Sequence, residues 1–479
     1  MGPSKGKSEF IGLVLFLAGV ALVLTNGFSS RIFAQEPKSQ VFEKIEPIGD
    51  VLSEILGNYV YDPDMDKVVE GALQGIMNSL DRNSSFIPAE GFQDMREETE
   101  GAFDGIGVRI TLDEDGNVVI VQPIPGAPAS KAGLRAGDII AEIDGVSAHG
   151  ITTLEASNRI KGPRGQTVAI AVMRKKADSE QYERIDVEVK RGIIPLESVV
   201  EARILGGGVG YVRISDFKKN TSKDLRERLD DFQKQGMTAL ILDLRWNPGG
   251  LLSASREVSE LFLPKGTLVT STKGRESAEG EYKDNMRLKT ERNPDMPETM
   301  PLLLLVSNTS ASSSEIVTGA LQFHKRALVI GEKTYGKGSV QTIIPLRRPE
   351  GSALRLTTAL YYTPGDVTID GKGILPDIEV PMDVETQANL RRQLYESEAA
   401  CEDCINKQNH GGVTGNPEAE GLVHDTVLAK AVEIIREDTV FQNLLQKYHR
   451  DIKETQVAAT EEEQKKKQAE SGAADAASN

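Results

Sequence analysis

Two cysteines in 479 residues cannot build a disulfide framework. Cys401 and Cys404 form a lone C-x-x-C (CEDC) in a polar segment, so a zinc site there would lack ligands unless His410 or a partner chain supplied them. A local disulfide is the expectation, and no metal is expected. Positive charge is also short: 56 Lys+Arg against 72 Asp+Glu leave a net charge of −16, which argues against nucleic acid as a partner. A phosphate-binding loop is missing by one residue. Gly331, Gly336 and Lys337 have its spacing, but Gly338 stands where Ser or Thr is required, and the strand-like VQTIIPL follows where a helix should begin. No nucleotide or other cofactor is expected.

What is present centres on Leu302 to Pro345, LLLLVSNTSASSSEIVTGALQFHKRALVIGEKTYGKGSVQTIIP. The pattern predicts a buried strand over 302–306, a serine-rich turn, a helix from about Glu315, strands over 327–330 and 339–344, and a glycine-rich turn between those two. Ser312 and Glu315 have the S-x-x-E spacing of a capping box, which places a hydroxyl beside the unpaired N–H groups of a helix start. Such a serine is usually only a cap. It becomes a nucleophile if a base takes its proton, and Lys337 can do so if burial keeps its amine neutral.

The stretch resembles the carboxy-terminal processing peptidases, serine proteases that use a Ser-Lys pair. SASSSEI matches the family's serine-rich nucleophile turn, and TYGKGSVQ matches its T-[FY]-G-K-G-x-V-Q motif at all eight positions. The resemblance implies Ser312 as nucleophile, Lys337 as general base and Gln341 as the residue that orients the lysine. Ser307 departs from the family's usual Asn and Thr309 from its usual Gly, which predicts an altered turn and leaves Ser310, Ser313 and Ser314 as neighbouring hydroxyls to be weighed. A histidine-based triad has little to draw on. His324 lies 12 residues past Ser312, about 18 Å along a helix, and no triad motif surrounds His149, His410, His424 or His449.

The rest of the chain extends the resemblance. Lys5 and Lys7 precede the uncharged apolar run Phe10 to Leu24, so residues 1–34 read as a signal peptide or, over 10–28, a membrane anchor. The body is then expected outside the cytoplasm, in the periplasm or another extracytoplasmic space, with inner-membrane association through that segment. Residues 35–103 form a helical N-terminal region with a break at Tyr59-Val-Tyr-Asp-Pro63; in the family it packs on the core and sometimes self-associates, making a homo-oligomer a candidate state. Residues 104–191 resemble a PDZ domain through AlaSerLysAlaGlyLeuArgAlaGlyAspIleIleAlaGluIleAspGly, 129 to 145. That resemblance makes Gly105, Ile106, Gly107 and Val108 the loop that receives a peptide carboxylate, with the helix near 154–160 beside the groove.

Residues 192–382 are the peptidase core. In the family the DLRxNPGG turn, here residues 243–250, lends a glycine N–H to the oxyanion hole: Gly249 or Gly250 together with Ser313, with Gly249 favoured. Residues 271–300 suit a surface hairpin bordering the cleft. A helical extension (383–453) and a charged, disordered tail (454–479) complete the chain. The expected architecture is multidomain, mixing α+β and α/β parts: a helical N-terminal region, a β-rich PDZ-like module, and an α/β core with a strand-turn-helix nucleophile, ClpP/crotonase-like by family resemblance. The expected activity is an exported endopeptidase acting on unfolded or tail-exposed proteins; the alternative is an exported scaffold that binds C-terminal peptides without cutting them.

Overall fold

The computed structural model describes residues 36–439, 441 and 443, apart from 177, 178, 180, 277–282, 284 and 401–422. The candidate signal or anchor, the CEDC pair and the charged tail lie outside the described residues. The chain divides into two compact units at Leu80/Asp81. In the first, helices Glu36–Asn58 and Met65–Asn78 flank the break at Tyr59 to Pro63, and Asp64 caps the second by accepting from Lys67 N–H at 3.3 Å. Apolar side chains of this unit stay exposed, among them Phe42, Val51, Leu56 and Tyr61.

The second unit opens with β1 (Ser85–Ile87), helix Ala89–Glu100 and β2 (Ala102–Gly105). A six-stranded module follows: β3 (Val108–Leu112), β4 (Val118–Pro123), β5 (Ile139–Ile143), β6 (Val146–Ser147), β7 (Thr167–Lys175) and β8 (Tyr182–Lys190). Its sheet runs β3-β4-β5-β7-β8, with β6 on β5 and helix Thr153–Ile160 packed near β3. Alternate strand residues such as Val118, Ile120, Ile140, Ile170 and Val172 fill its core. The chain leaves through β9 (Gly192–Pro195), which pairs antiparallel with β2, Gly105 facing Gly192. Entry and exit of the module are therefore hydrogen-bonded neighbours.

The core contributes β10 (Val199–Leu205), β11 (Val209–Ile214), β12 (Ala239–Asp243), β13 (Leu268–Gly274), β14 (Arg287–Lys289), β15 (Leu302–Val306), β16 (Leu328–Gly331), β17 (Ser339–Pro345), β18 (Ala353–Tyr362) and β19 (Ile378–Glu379). One sheet runs β10-β11-β12-β15-β16-β19 and is parallel from β11 onward. β15 is an unbroken apolar run and β12 is apolar up to Asp243 at its end, as suits strands covered on both faces. Leu240, Leu242, Leu302 and Leu304 share a core with helices Thr221–Lys234, Leu252–Glu260 and Ser313–Phe323; Ile241, Leu303 and Leu305 face helix Thr426–Glu437 instead. A second, antiparallel sheet joins β1, β18, β13 and β14, with β17 on β18. The polar stretch after residue 270 does turn back as a hairpin, β13 pairing β14. The short β1 and β19 carry little pattern of their own and exist through their pairing with β18 and β16.

Candidate active site

The carboxyl ends of the parallel strands carry the loops of interest, the usual place for a site in such a sheet. β15 ends at Val306, and the serine-rich turn leads into helix Ser313–Phe323 with Ser312 at its N-cap. Ser312 sits at φ +54°, a left-handed conformation that a non-glycine residue adopts at a cost of about 1–3 kcal/mol and that recurs at functional sites. Glu315, fully buried, holds it there. One carboxylate oxygen accepts from Ser312 N–H and Lys337 N–H, both at 2.9 Å; the other accepts from Thr334 Oγ1 at 2.6 Å and Gly336 N–H at 2.7 Å. A single carboxylate thus ties the serine turn to the lysine loop. Burial pushes its pKa above the usual carboxylate value even though these four donors oppose the shift.

The neighbouring hydroxyls are occupied. Ser310 Oγ donates to Leu244 O at 2.7 Å, Ser313 Oγ to Gly250 O at 3.0 Å, and Ser314 Oγ to Asn247 O at 3.0 Å. Ser307 Oγ accepts from Trp246 N–H at 3.1 Å, so the residue that departs from the family pattern still bridges the two turns. Of Ser310, Ser312, Ser313 and Ser314, only the half-buried Ser312 does not donate its hydroxyl to a backbone carbonyl.

The DLRWNPGG turn packs directly on this region, and Asn247 organises it. Asn247 Nδ2 donates to Ile214 O, its Oδ1 accepts from Gly249 N–H at 2.8 Å, and its carbonyl accepts from Ala311 N–H and Ser314 Oγ. A Cβ on Gly249 would lie 2.6 Å from Ser312 Cβ and 2.7 Å from Ala311 O, so no other residue fits against the serine turn. The expectation that Gly249 offers its N–H to an oxyanion meets an obstacle: that N–H is already given to Asn247. Gly250 differs. Phe217 bonds to Gly249 O and to Leu251 N–H, which turns the amide groups of Gly250 away from Phe217, and Gly250 O meets Ser313 Oγ.

Below the same turn lies a buried ionic cluster. Arg245 donates to both oxygens of Asp243 and, at 2.8 and 2.7 Å, to both of Asp425, the N-cap of helix Thr426–Glu437; Tyr211 also donates to Asp243. Sequence reasoning set Glu315 against Ser312 as a capping box, which the Ser312 N–H bond bears out, but missed the reach of Glu315 to the lysine loop, as it missed Asn247 and this cluster. The one available signal was Asp243 and Arg245 flanking a single residue, a spacing that lets side chains on one face of an extended segment meet.

Lys337 is half-buried, and no acceptor bonds its Nζ among the described residues. Burial first, then the positive charge of Arg355, pull its pKa below the ordinary lysine value, while Glu315 acts the other way. Gln341, four residues on, donates its Nε2 to Ser339 Oγ at 2.9 Å and Thr357 Oγ1 at 3.3 Å and makes no hydrogen bond to Lys337 here. No described histidine bonds to Ser312: His149 pairs with Asn117, His324 with Leu268 O, and His424 is exposed.

In the six-stranded module, the carbonyls of Ile106 and Gly107 turn inward to accept from Ala129 and Ile124 N–H. Gly107 sits at φ +75° with no room for a Cβ, which would lie 2.5 Å from Ala127 Cβ. Beyond it β3 pairs, among the described residues, with β4 alone and so lies at the sheet's edge.

Peptidase family S41 matches residues 208–380, and the PDZ domain matches residues 105–187. A carboxy-terminal-processing protease of Bartonella bacilliformis is 40% identical over 372 residues, 77% of this chain and 82% of that one. The carboxy-terminal processing protease CtpA of Bacillus subtilis is 32% identical, over 78% of this chain and 77% of its own. Among solved structures, the photosystem II D1 C-terminal processing protease is 28% identical over 70% of this chain and 88% of its own, with a TM-score of 0.38. This chain therefore belongs to the carboxy-terminal processing proteases, serine peptidases of family S41 that carry a PDZ domain.

Proposed function

We propose that the protein is an exported endopeptidase that takes the C-terminus of an unfolded or tail-exposed protein into the groove of residues 104–191 and cuts the chain at Ser312, in the core of residues 192–382. The observation that carries this reading is the use of hydroxyls in the serine turn: Ser310, Ser313 and Ser314 are held by backbone carbonyls, and Ser312 alone is left for chemistry, hung from the same carboxylate as the lysine loop. Lys337, its pKa lowered by burial, takes the Ser312 proton in its neutral form as Oγ attacks the peptide carbonyl, then passes it to the leaving amine; water releases the acyl enzyme by the reverse sequence. Gln341, its nitrogen anchored, keeps Oε1 as the acceptor for the lysine. The oxyanion meets the N–H of Ser313 at the helix start and that of Gly250, since Gly249 is engaged by Asn247.

The groove loop Gly105, Ile106, Gly107 and Val108 receives the terminal carboxylate while β3 pairs with the peptide. Parallel strands ending in a strand-turn-helix nucleophile support a ClpP/crotonase-like core. Residues 10–28 direct export and anchor the chain at the inner membrane, and the exposed apolar side chains of the N-terminal helices favour self-association. The non-cutting scaffold is disfavoured because a complete Ser312, Lys337 and Gln341 set has no use in it. Mass spectrometry of casein, and of a peptide with an apolar free C-terminus, tests the reading. Wild type should yield products, Ser312→Ala none, and Lys337→Ala a rate lower by about 10³-fold or more. Near-normal turnover by Lys337→Ala would end the dyad assignment.

A further inference from the structure

The described residues include two tyrosines buried to 3% exposure or less, and they differ in one respect. Tyr211 donates its hydroxyl to Asp243 at 2.8 Å. The hydroxyl of Tyr361 has no hydrogen-bond partner among the described residues. A phenylalanine would fill the same space without the unfavourable burial of an unpaired hydroxyl. The placement suggests what that hydroxyl is for. Tyr361 lies in β18, opposite Thr272 of β13, and its backbone N–H donates to Gly338 O at 2.8 Å, the residue after Lys337. Its ring packs in the core shared with Ile316 and Val317 of the nucleophile helix, and its hydroxyl faces the Ser312 side chain without closing a hydrogen bond. Strand alternation sends the adjacent Tyr362 the other way, under Lys273 at 4.3 Å.

We propose that the Tyr361 hydroxyl is a further group of the reaction, donating a hydrogen bond to Ser312 Oγ and aligning that oxygen with Lys337. The inference rests on the assignment of Ser312 and Lys337 above. In acylation the Oγ–H proton passes to Lys337 Nζ, the Oγ–C bond forms and the peptide C–N bond breaks; in deacylation the acyl C–Oγ bond breaks and Lys337 returns a proton to Oγ. Tyr361 gives up no proton in either step. Its donor stabilises the negative charge that Oγ carries as each transfer proceeds, in a site where burial and the nearby Glu315 carboxylate keep the phenol protonated.

The test is Tyr361→Phe in the full chain, assayed on casein beside wild type and Ser312→Ala. We expect kcat to fall by about 10²-fold, KM to stay within about twofold, and the melting temperature to hold or rise, since an unpaired hydroxyl has been removed. A kcat within about threefold of wild type overturns the proposal, and so does a loss of rate matched by a lower melting temperature, which would mark Tyr361 as packing alone. If Ser312→Ala still cuts, the nucleophile assignment fails first; if it is inert while Tyr361→Phe is normal, only the tyrosine proposal fails.

Discussion

At the scale of single residues the site depends on burial acting in opposite directions on two charges. Burial favours the neutral amine of Lys337, and its pKa lies below the ordinary lysine value. A lysine base acts in its neutral form, so if Lys337 is that base kcat/KM on casein should rise with pH up to that lowered pKa and level off above it; a rate that falls across the same interval would contradict a lysine base. The sign for stability follows from the same shift. Between the folded pKa and the unfolded value of 10.5 the unfolded chain binds more protons, so stability gains as pH rises through that window. Glu315 is shifted up, and ionising it in the folded state is correspondingly less favourable. Its two oxygens accept four hydrogen bonds, so Glu315→Gln would set an NH2 group against two of those donors. We expect that variant to lose about 1–3 kcal/mol in urea unfolding and most of its activity, because both loops hang from the carboxylate. Full activity would show that the loops hold themselves.

At the scale of elements, helix Thr426–Glu437 supports the site without touching it. Asp425 at its N-cap grips Arg245, which sits in the turn that carries Asn247, Gly249 and Gly250. Burial would raise the Asp425 pKa, but Arg245 and the helix N-terminus outweigh it and hold the carboxyl below its usual range. The stabilisation is therefore present above the unfolded pKa of 3.8 and is lost as pH falls through the lower folded value. Asp425→Ala leaves Arg245 paired with Asp243 but strips two of its hydrogen bonds and the helix N-cap, and should cost about 1–3 kcal/mol, with kcat reduced more than KM as the turn of residues 243–250 loosens. A variant that loses stability with unchanged kcat would confine the helix to packing.

On the scale of the whole molecule, the pairing of β2 with β9 makes the PDZ domain an insertion whose two ends are already joined, with Gly105 facing Gly192. Replacing residues 106–191 by an Asn-Gly turn closes a two-residue hairpin on that pairing. The shortened chain should fold and still cut a short unfolded peptide, while cleavage of a protein presented by its C-terminal tail falls by more than tenfold, about the loss expected when a second binding contact is removed. Equal rates on both substrates would separate the domain from substrate capture.

How much of this was legible beforehand depends on how local each feature is. The strand at 302–306 and the helix that opens near 313 follow from apolar periodicity and from a local capping box, which act over a few residues. The TYGKGSVQ run and the serine turn, being contiguous, brought Ser312, Lys337 and Gln341 into view together. The remainder depends on residues far apart in the chain. Ser310, Ser313 and Ser314 are engaged by carbonyls of Leu244, Asn247 and Gly250, more than sixty positions away; Gly249 N–H is engaged by a hydrogen bond within its own turn that only the folded backbone allows; and the Arg245–Asp425 pair spans 180 residues. A hydroxyl, an amide or a carboxylate looks the same in sequence whether it is engaged or free. The sequence by itself determined the strands and helix around the serine turn, the family and the candidate residues for the reaction, because those reside in local pattern and contiguous motif; the tertiary structure alone decided which of those groups are already engaged, because a long-range partner is chosen by packing.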